Sequence, residues 1–200
     1  MHGTSEIYDV LKPYGDHPKN SPAYVDLMLH EIPPAHVVDR EKFILQRCDK
    51  KRVLNLGSAK GKLHGKICKV AKEAVGVDKV QPCDQVIDLD RFYSLEPFIR
   101  PKPQVIVCGE ILEHLSNPGH LLDALKLFNC PVVITVPNAL ANGSRFHARQ
   151  GYENVNEDHV AWYSWRTLKT LVERSGFRVV EFAWYGGEPV FAEGIIFVVE

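Results

Sequence analysis

The chain has 200 residues, 45% hydrophobic and 24% charged, with a formal net charge of −1, an ordinary globular composition that suits one domain with a sizeable core and argues against extended disorder. Near-neutrality supplies no global field to gather nucleic acid, leaving only a local basic patch at Lys60, Lys62, Lys66 and Lys69. Five separated cysteines without a CxxC indicate neither a disulfide framework nor a zinc ribbon, and no run approaches the roughly 18 apolar residues that span a bilayer, so a reducing cytoplasm without membrane insertion or secretion is the expected setting.

Residues 1–36 carry Pro13, Pro18, Pro22, Pro33 and Pro34 and read as an irregular proline-rich arm before a single domain over 37–200. Apolar spacing allows a helix from Val37 to Cys48, then a strand at Arg52–Leu56 that Gly57 stops. A helix over Lys60–Glu73 leads to a second strand at Ala74–Val77, ended by Asp78. Further strands are predicted at Gln85–Ile87, Pro103–Cys108 and Pro131–Val136, with a helix from about Pro118 to Phe128. Residues 138–160 are polar and loop-like. Ser164–Ser175 reads as an N-capped helix ending at Gly176, and Phe177–Trp184 with Gly194–Val199 as a terminal antiparallel pair. This alternation predicts an α/β fold: a Rossmann-like, mostly parallel seven-stranded sheet with a terminal antiparallel strand and helices on both faces.

Small residues in Asn55-Leu56-Gly57-Ser58-Ala59-Lys60-Gly61, between a strand and a helix, let a ligand approach the backbone near a helix N-terminus. About 20 residues later Asp78 ends the second strand, where an acid can bond both hydroxyls of a ribose. Turn chemistry explains the glycines singly, and a solvated strand end explains Asp78; together they point to a nucleoside cofactor.

With these motifs the chain resembles the class I S-adenosylmethionine-dependent methyltransferases, whose first motif is approximately acid-x-Gly-x-Gly-x-Gly. Gly76-Val77-Asp78 is similar to the family's ribose motif, Asp88-Leu89 to its adenine motif, Cys108-Gly109-Glu110 to the segment after its fourth strand, and Val133–Asn138 to its fifth strand. The resemblance covers about residues 50–199. It implies S-adenosylmethionine as cofactor, with Gly57, Ser58, Ala59 and Gly61 lining the methionine and ribose part, Asp78 on the ribose hydroxyls, Asp88 and the Leu89 amide at adenine, and Gly109 under the sulfonium. Asn55 stands where the family has an acid and Ala59 where it has the middle glycine. Asparagine keeps an acceptor and loses the charge, which leaves a catalytically silent cofactor-binding module as one alternative function. An NAD-dependent oxidoreductase fits less well, because the dinucleotide fingerprint's final glycine is missing at the expected place.

Glu110-Ile111-Leu112-Glu113-His114 follows the predicted fourth strand, at the sheet end where this fold keeps its chemistry. If the segment is helical, Glu110, Glu113 and His114 share one face. The set can hold a divalent metal, supply a general base, or brace a helix start. Methyl transfer to oxygen needs a deprotonated acceptor, so Glu110, His114 and His159 are the candidate catalytic residues, and Glu110, Glu113, His114 and His159 the candidate metal ligands. The segment is similar to those of ubiquinone-pathway O-methyltransferases and of metal-dependent small-RNA 2′-O-methyltransferases. The expected function is O-methylation of a small-molecule acceptor such as a sugar, ring hydroxyl or quinone-like precursor; the alternative is a metal-dependent RNA 2′-O-methyltransferase. Arg145, His147, Arg149 and Tyr152 could read an anionic or polyhydroxylated acceptor, or belong to a solvated loop. Trp165 is expected to anchor the helix that follows it, and Cys108 to be a buried small side chain.

Overall fold

The computed structural model describes residues 30–58, 61–92, 95 and 101–200. Most of the predicted arm, residues 1–29, lies outside the described residues, as do Ala59 and Lys60. Two compact units, Met1–Glu31 and Ile32–Glu200, divide the chain, and the strands and helices described here belong to the second.

Its sheet contains β1 (Val37–Val38), β2 (Arg52–Leu56), β3 (Glu73–Asp78), β4 (Gln85–Val86), β5 (Val105–Gly109), β6 (Val132–Pro137), β7 (Val179–Tyr185) and β8 (Gly194–Val199). The spatial order is β1-β7-β8-β6-β5-β2-β3-β4. Only β8 runs against its neighbours, antiparallel to both β6 and β7. The α-helices are α1 (Arg40–Cys48), α2 (Lys62–Val70), α3 (Pro118–Leu125), α4 (Asn142–Ala148) and α5 (Trp165–Arg174).

Period-two alternation in the central strands divides the apolar residues between two faces. Val53, Val105, Val107 and Val133 pack with Phe43 and Ile44 of α1 and Ile67 of α2. Leu54, Leu56, Ile106, Cys108, Ile134 and Val136 pack with Leu121, Leu122 and Leu125 of α3 and Leu168 and Val172 of α5. Cys108 is fully buried, and burial pushes its thiol up to about 12. Trp165 is buried beside Phe182 of β7, as an anchor for α5 requires.

Several boundaries correct the sequence expectation. The sheet has eight strands, because Val37 and Val38 extend along β7 instead of beginning α1. Asp39 separates strand from helix: its carboxylate accepts the Lys42 amide as an N-cap. The 138–160 segment is not wholly loop, since α4 forms there without a side-chain cap and without a buried residue. The helix expected from Glu110 is a 3-10 turn over Leu112–His114.

β3 and β5 pair with opposite edges of β2. The chain therefore reverses direction across the sheet at β2, and such a switch point opens a crevice at the carboxyl ends of the strands.

Candidate active site

A cavity of about 620 Å³ occupies this crevice, with Gly57, Asp78, Asp88, Leu89, Glu110 and His114 of the expected site in its wall. Ile111, Asp90, Asn156 and Asp158 also line it. Asn55, Ser58, Gly61, Gly109, Glu113 and His159 of the expected set lie outside that lining, and Ala59 lies outside the described residues.

Gly57 ends β2 with φ +73°, a left-handed conformation that glycine adopts at little cost. A Cβ there would stand 3.1 Å from Ile111 Cδ1, so the turn also needs the missing side chain. The amides of Gly57 and Ser58 both donate to the Val77 carbonyl, at 2.9 and 3.1 Å, which fixes the turn beside Asp78. Ser58 is buried, and its hydroxyl has no hydrogen-bond partner. Asp78 accepts the Val80 amide, and Asp88 the Asp90 amide. Asp90 accepts from the Ser116 hydroxyl and amide, both at 2.8 Å, and the Ser116 hydroxyl holds its carboxyl below the ordinary range.

Beyond β5 the four acid and base candidates separate. Glu110 takes φ +56°, and its Oε1 accepts from Thr135 Oγ1 at 2.7 Å and the Tyr185 hydroxyl at 2.8 Å. Arg40 Nε donates to Thr135 Oγ1 at 3.0 Å and lies 3.7 Å from Glu110 Oε1. Burial first, and then Glu110, raises the Tyr185 phenol far above its usual range. Sequence reasoning missed Arg40, Thr135 and Tyr185, which come from three distant elements and carry no local motif.

Glu113, His114 and His159 do come together: one ligating atom from each lies within 4.8 Å of the others. The Glu113 carbonyl accepts the Val160 and Ala161 amides at 2.8 and 3.2 Å, tying the loop that carries His159 to the turn after β5. His114 Nδ1 donates to the Asp158 carbonyl at 3.2 Å, so Nε2 is the nitrogen left to act. Its ring meets that of His159 edge-on, with centroids 4.6 Å apart. Burial, followed by His114, lowers the His159 pKa. Glu113 is 1% exposed, and neither carboxylate oxygen has a partner. Burial, then Glu110, raises its carboxyl to about 8. Two imidazoles beside an orphaned carboxylate are a donor set suited to a divalent cation.

The chain matches the methyltransferase-domain family over residues 29–182. No curated protein matches it in sequence. Among solved structures it is similar to the small RNA methyltransferase HEN1, with TM-score 0.65 and 15% identity over 86% of this chain and 27% of that one. The chain thus spans about a quarter of that protein's length. It is similar to the 1,6-didemethyltoxoflavin-N1-methyltransferase of Burkholderia thailandensis, with TM-score 0.58 and 11% identity over 80% of this chain and 76% of that one. The magnesium protoporphyrin IX methyltransferase of Synechocystis PCC 6803 gives TM-score 0.57 and 11% identity over 80% and 81%.

Proposed function

The chain belongs to the methyltransferase-domain family, and from that membership we propose that it transfers the methyl group of S-adenosylmethionine to a sugar hydroxyl, the acceptor being the terminal ribose of an RNA strand. The observation that carries this reading is Glu113, 1% exposed with both oxygens unpartnered, beside His114 and His159. An ionised carboxylate so placed costs several kcal/mol unless a cation compensates it. Glu113, His114 and His159 would hold a divalent ion, which supplies a lowered pKa to an acceptor hydroxyl. That chemistry suits the adjacent hydroxyls of a ribose end. The similarity to a small RNA methyltransferase favours RNA as the source of the ribose.

In the cofactor half of the crevice, Asp78 is assigned the ribose hydroxyls, Asp88 and the Leu89 amide the adenine, and Gly57, Ser58 and Gly61 the methionine end, with Gly109 below the sulfonium. The orphaned Ser58 hydroxyl fits such a role, because a bound polar group would satisfy it. In the acceptor half, His114, its Nδ1 bonded to the Asp158 carbonyl, would offer Nε2 as one ligand beside Glu113 and His159, so both imidazoles serve as ligands and not as the base. Glu110, fastened by Thr135 and Tyr185, orients the β5 exit instead of joining the ligand set. Alignment of oxygen, methyl carbon and sulfur then supplies most of the acceleration, since the sulfonium is already activated.

A second reading, O-methylation of a small polyhydroxylated molecule, is favoured by the net charge of −1. The two separate in one assay using labelled methyl donor, Mn²⁺ or chelator, and three acceptor sets: RNA with an intact 3′ end, RNA with a 2′-deoxy terminal residue, and free sugars and catechols. Label in the intact RNA alone, lost on chelation and in His114→Ala or His159→Ala, is the expected result. Label in small acceptors that persists under chelation, with none in RNA, overturns the proposal.

A further inference from the structure

We infer that Asn55, His64 and Asp84 work as one positioning relay for the cofactor turn, matched to one another so that the turn keeps its place whether or not His64 carries a proton. The inference rests on the reading of residues 57–61 as the cofactor turn.

Asn55, on β2, is 3% exposed, and its Nδ2 lies 3.2 Å from His64 Nδ1. His64 Nε2 lies 3.1 Å from Asp84 Oδ2. That same oxygen accepts the Gly76 amide of β3 at 2.6 Å, while the Asp84 amide donates to the Gly76 carbonyl at 3.0 Å. One imidazole therefore joins β2, the first turn of α2 and the connection between β3 and β4. Its ring lies so close to β3 that a Cβ on Gly76 would stand 2.8 Å from Cε1 and Nε2. Gly57, Ser58 and Gly61, the described residues of the cofactor turn, lie between Asn55 and His64 in the chain. At its start the turn is held by the Gly57 and Ser58 bonds to Val77. At its end, Gly61 provides no side-chain cap for α2, and His64 is a polar side chain that ties the helix start to the sheet.

Asparagine suits this position better than the acid it replaces. Its amide end donates to an unprotonated Nδ1 while Nε2–H donates to Asp84; when His64 is protonated, a rotated Asn55 accepts from Nδ1–H through its oxygen. Among the described residues, the titratable groups bonded to His64 are Asp84 from the β3–β4 connection and Cys68 from α2, whose Sγ is 3.5 Å from Nε2. Burial, then Asp84, raises the Cys68 thiol, so it stays uncharged. Asn55, Ser58 and Gly76 bring no charge. A carboxylate at position 55 could accept from Nδ1–H, with Asp84 accepting from Nε2–H, only while the ring carries both protons. With the proton gone, one carboxylate would face a bare nitrogen.

The test is calorimetric titration of S-adenosylhomocysteine into the full chain, its Asn55→Asp and its His64→Ala variants, across the range from about pH 5 to 8 in which imidazoles titrate. The readout is the ratio of variant to wild-type Kd at each pH, with circular dichroism confirming the fold. Asn55→Asp is expected to match wild type at the acid end and to bind about 10-fold more weakly at the alkaline end. His64→Ala is expected to be about 10-fold weaker throughout, through loss of the bonds to Asn55 and Asp84. Should His64→Ala fail to fold, the Asn55→Asp profile decides alone. Wild-type binding with a flat Asn55→Asp ratio overturns the relay and leaves the cofactor reading standing. Absence of wild-type binding overturns both.

Discussion

A carboxylate that is 1% exposed and accepts no hydrogen bond must be either protonated or neutralised by a cation, because desolvation penalises its charge. Burial, and then Glu110, pushes the Glu113 carboxyl from its ordinary 4.5 up to about 8. At this group the folded chain binds more protons than the unfolded chain between those values, so the contribution of Glu113 to stability is full below pH 4.5 and is lost as pH rises toward about 8. Thermal unfolding without metal should show Tm dropping by roughly 5 to 10 °C over that range, taking about 2–3 kcal/mol at about 2–4 °C per kcal/mol. Glu113→Gln should flatten the slope, and Mn²⁺ should raise Tm more at pH 8 than at pH 5.5. A metal-independent, pH-flat Tm would remove Glu113 from the site. Spacing in the sequence was enough to single out Glu113, His114 and distant His159, since residue types with metal and proton chemistry are few. Glu110 was assigned to the same group by assuming a helix. Its left-handed backbone and the pull of Thr135 and Tyr185 are tertiary effects that no local pattern carries.

Elements whose ends are written locally were legible. In α5, Ser164 accepts the Thr167 amide and Thr167 Oγ1 accepts the Ser164 amide, a reciprocal cap that the sequence signalled through serine at the helix start. Ser164→Ala should cost about 1 kcal/mol in urea denaturation with methyl transfer unchanged, as the described bonds of the Ser164 hydroxyl go to Thr167 and not to Glu113, His114 or His159. Elements whose position depends on a partner were not legible. Gly76 looked like part of a ribose motif, yet its lack of a side chain also admits the His64 ring and Ser58 Oγ, both within 2.8 Å of where a Cβ would be. Gly76→Ala should therefore lower stability by about 1–3 kcal/mol through overpacking between α2 and β3. Because the displaced His64 also holds the cofactor turn, S-adenosylhomocysteine affinity should fall with it. Loss of stability with unchanged affinity would confine Gly76 to packing.

At the scale of the molecule, alternation of strands and helices foretold a parallel sheet but not where the last strand would enter it. β8, buried along its whole length, inserts between β6 and β7, pairing with its neighbour in sequence on one edge and with the distant β6 on the other. The carboxyl ends of β2 and β5 are thereby left to form the crevice, and the 138–163 segment returns to it from β6, bridging Asn138 to Tyr163. That segment holds the exposed cations Arg145 and Arg149 on and beside α4, with Arg145 also over the Phe191 ring, followed by Glu153, Glu157 and Asp158. With a net charge of −1 there is no long-range field to add to two such contacts. Each single-strand phosphate neutralised contributes about −0.7 to the slope of log K against log salt, so about two contacts give a slope of about −1.4. Affinity for an RNA end should then fall only about 7-fold between 50 and 200 mM salt, while a 2′-deoxy terminus should weaken productive binding at every salt concentration. Fluorescence anisotropy with short labelled RNAs measures both. A slope steeper than about −3 would show that a larger basic surface binds the strand, and no difference between ribose and deoxyribose ends would remove the terminal hydroxyls from recognition.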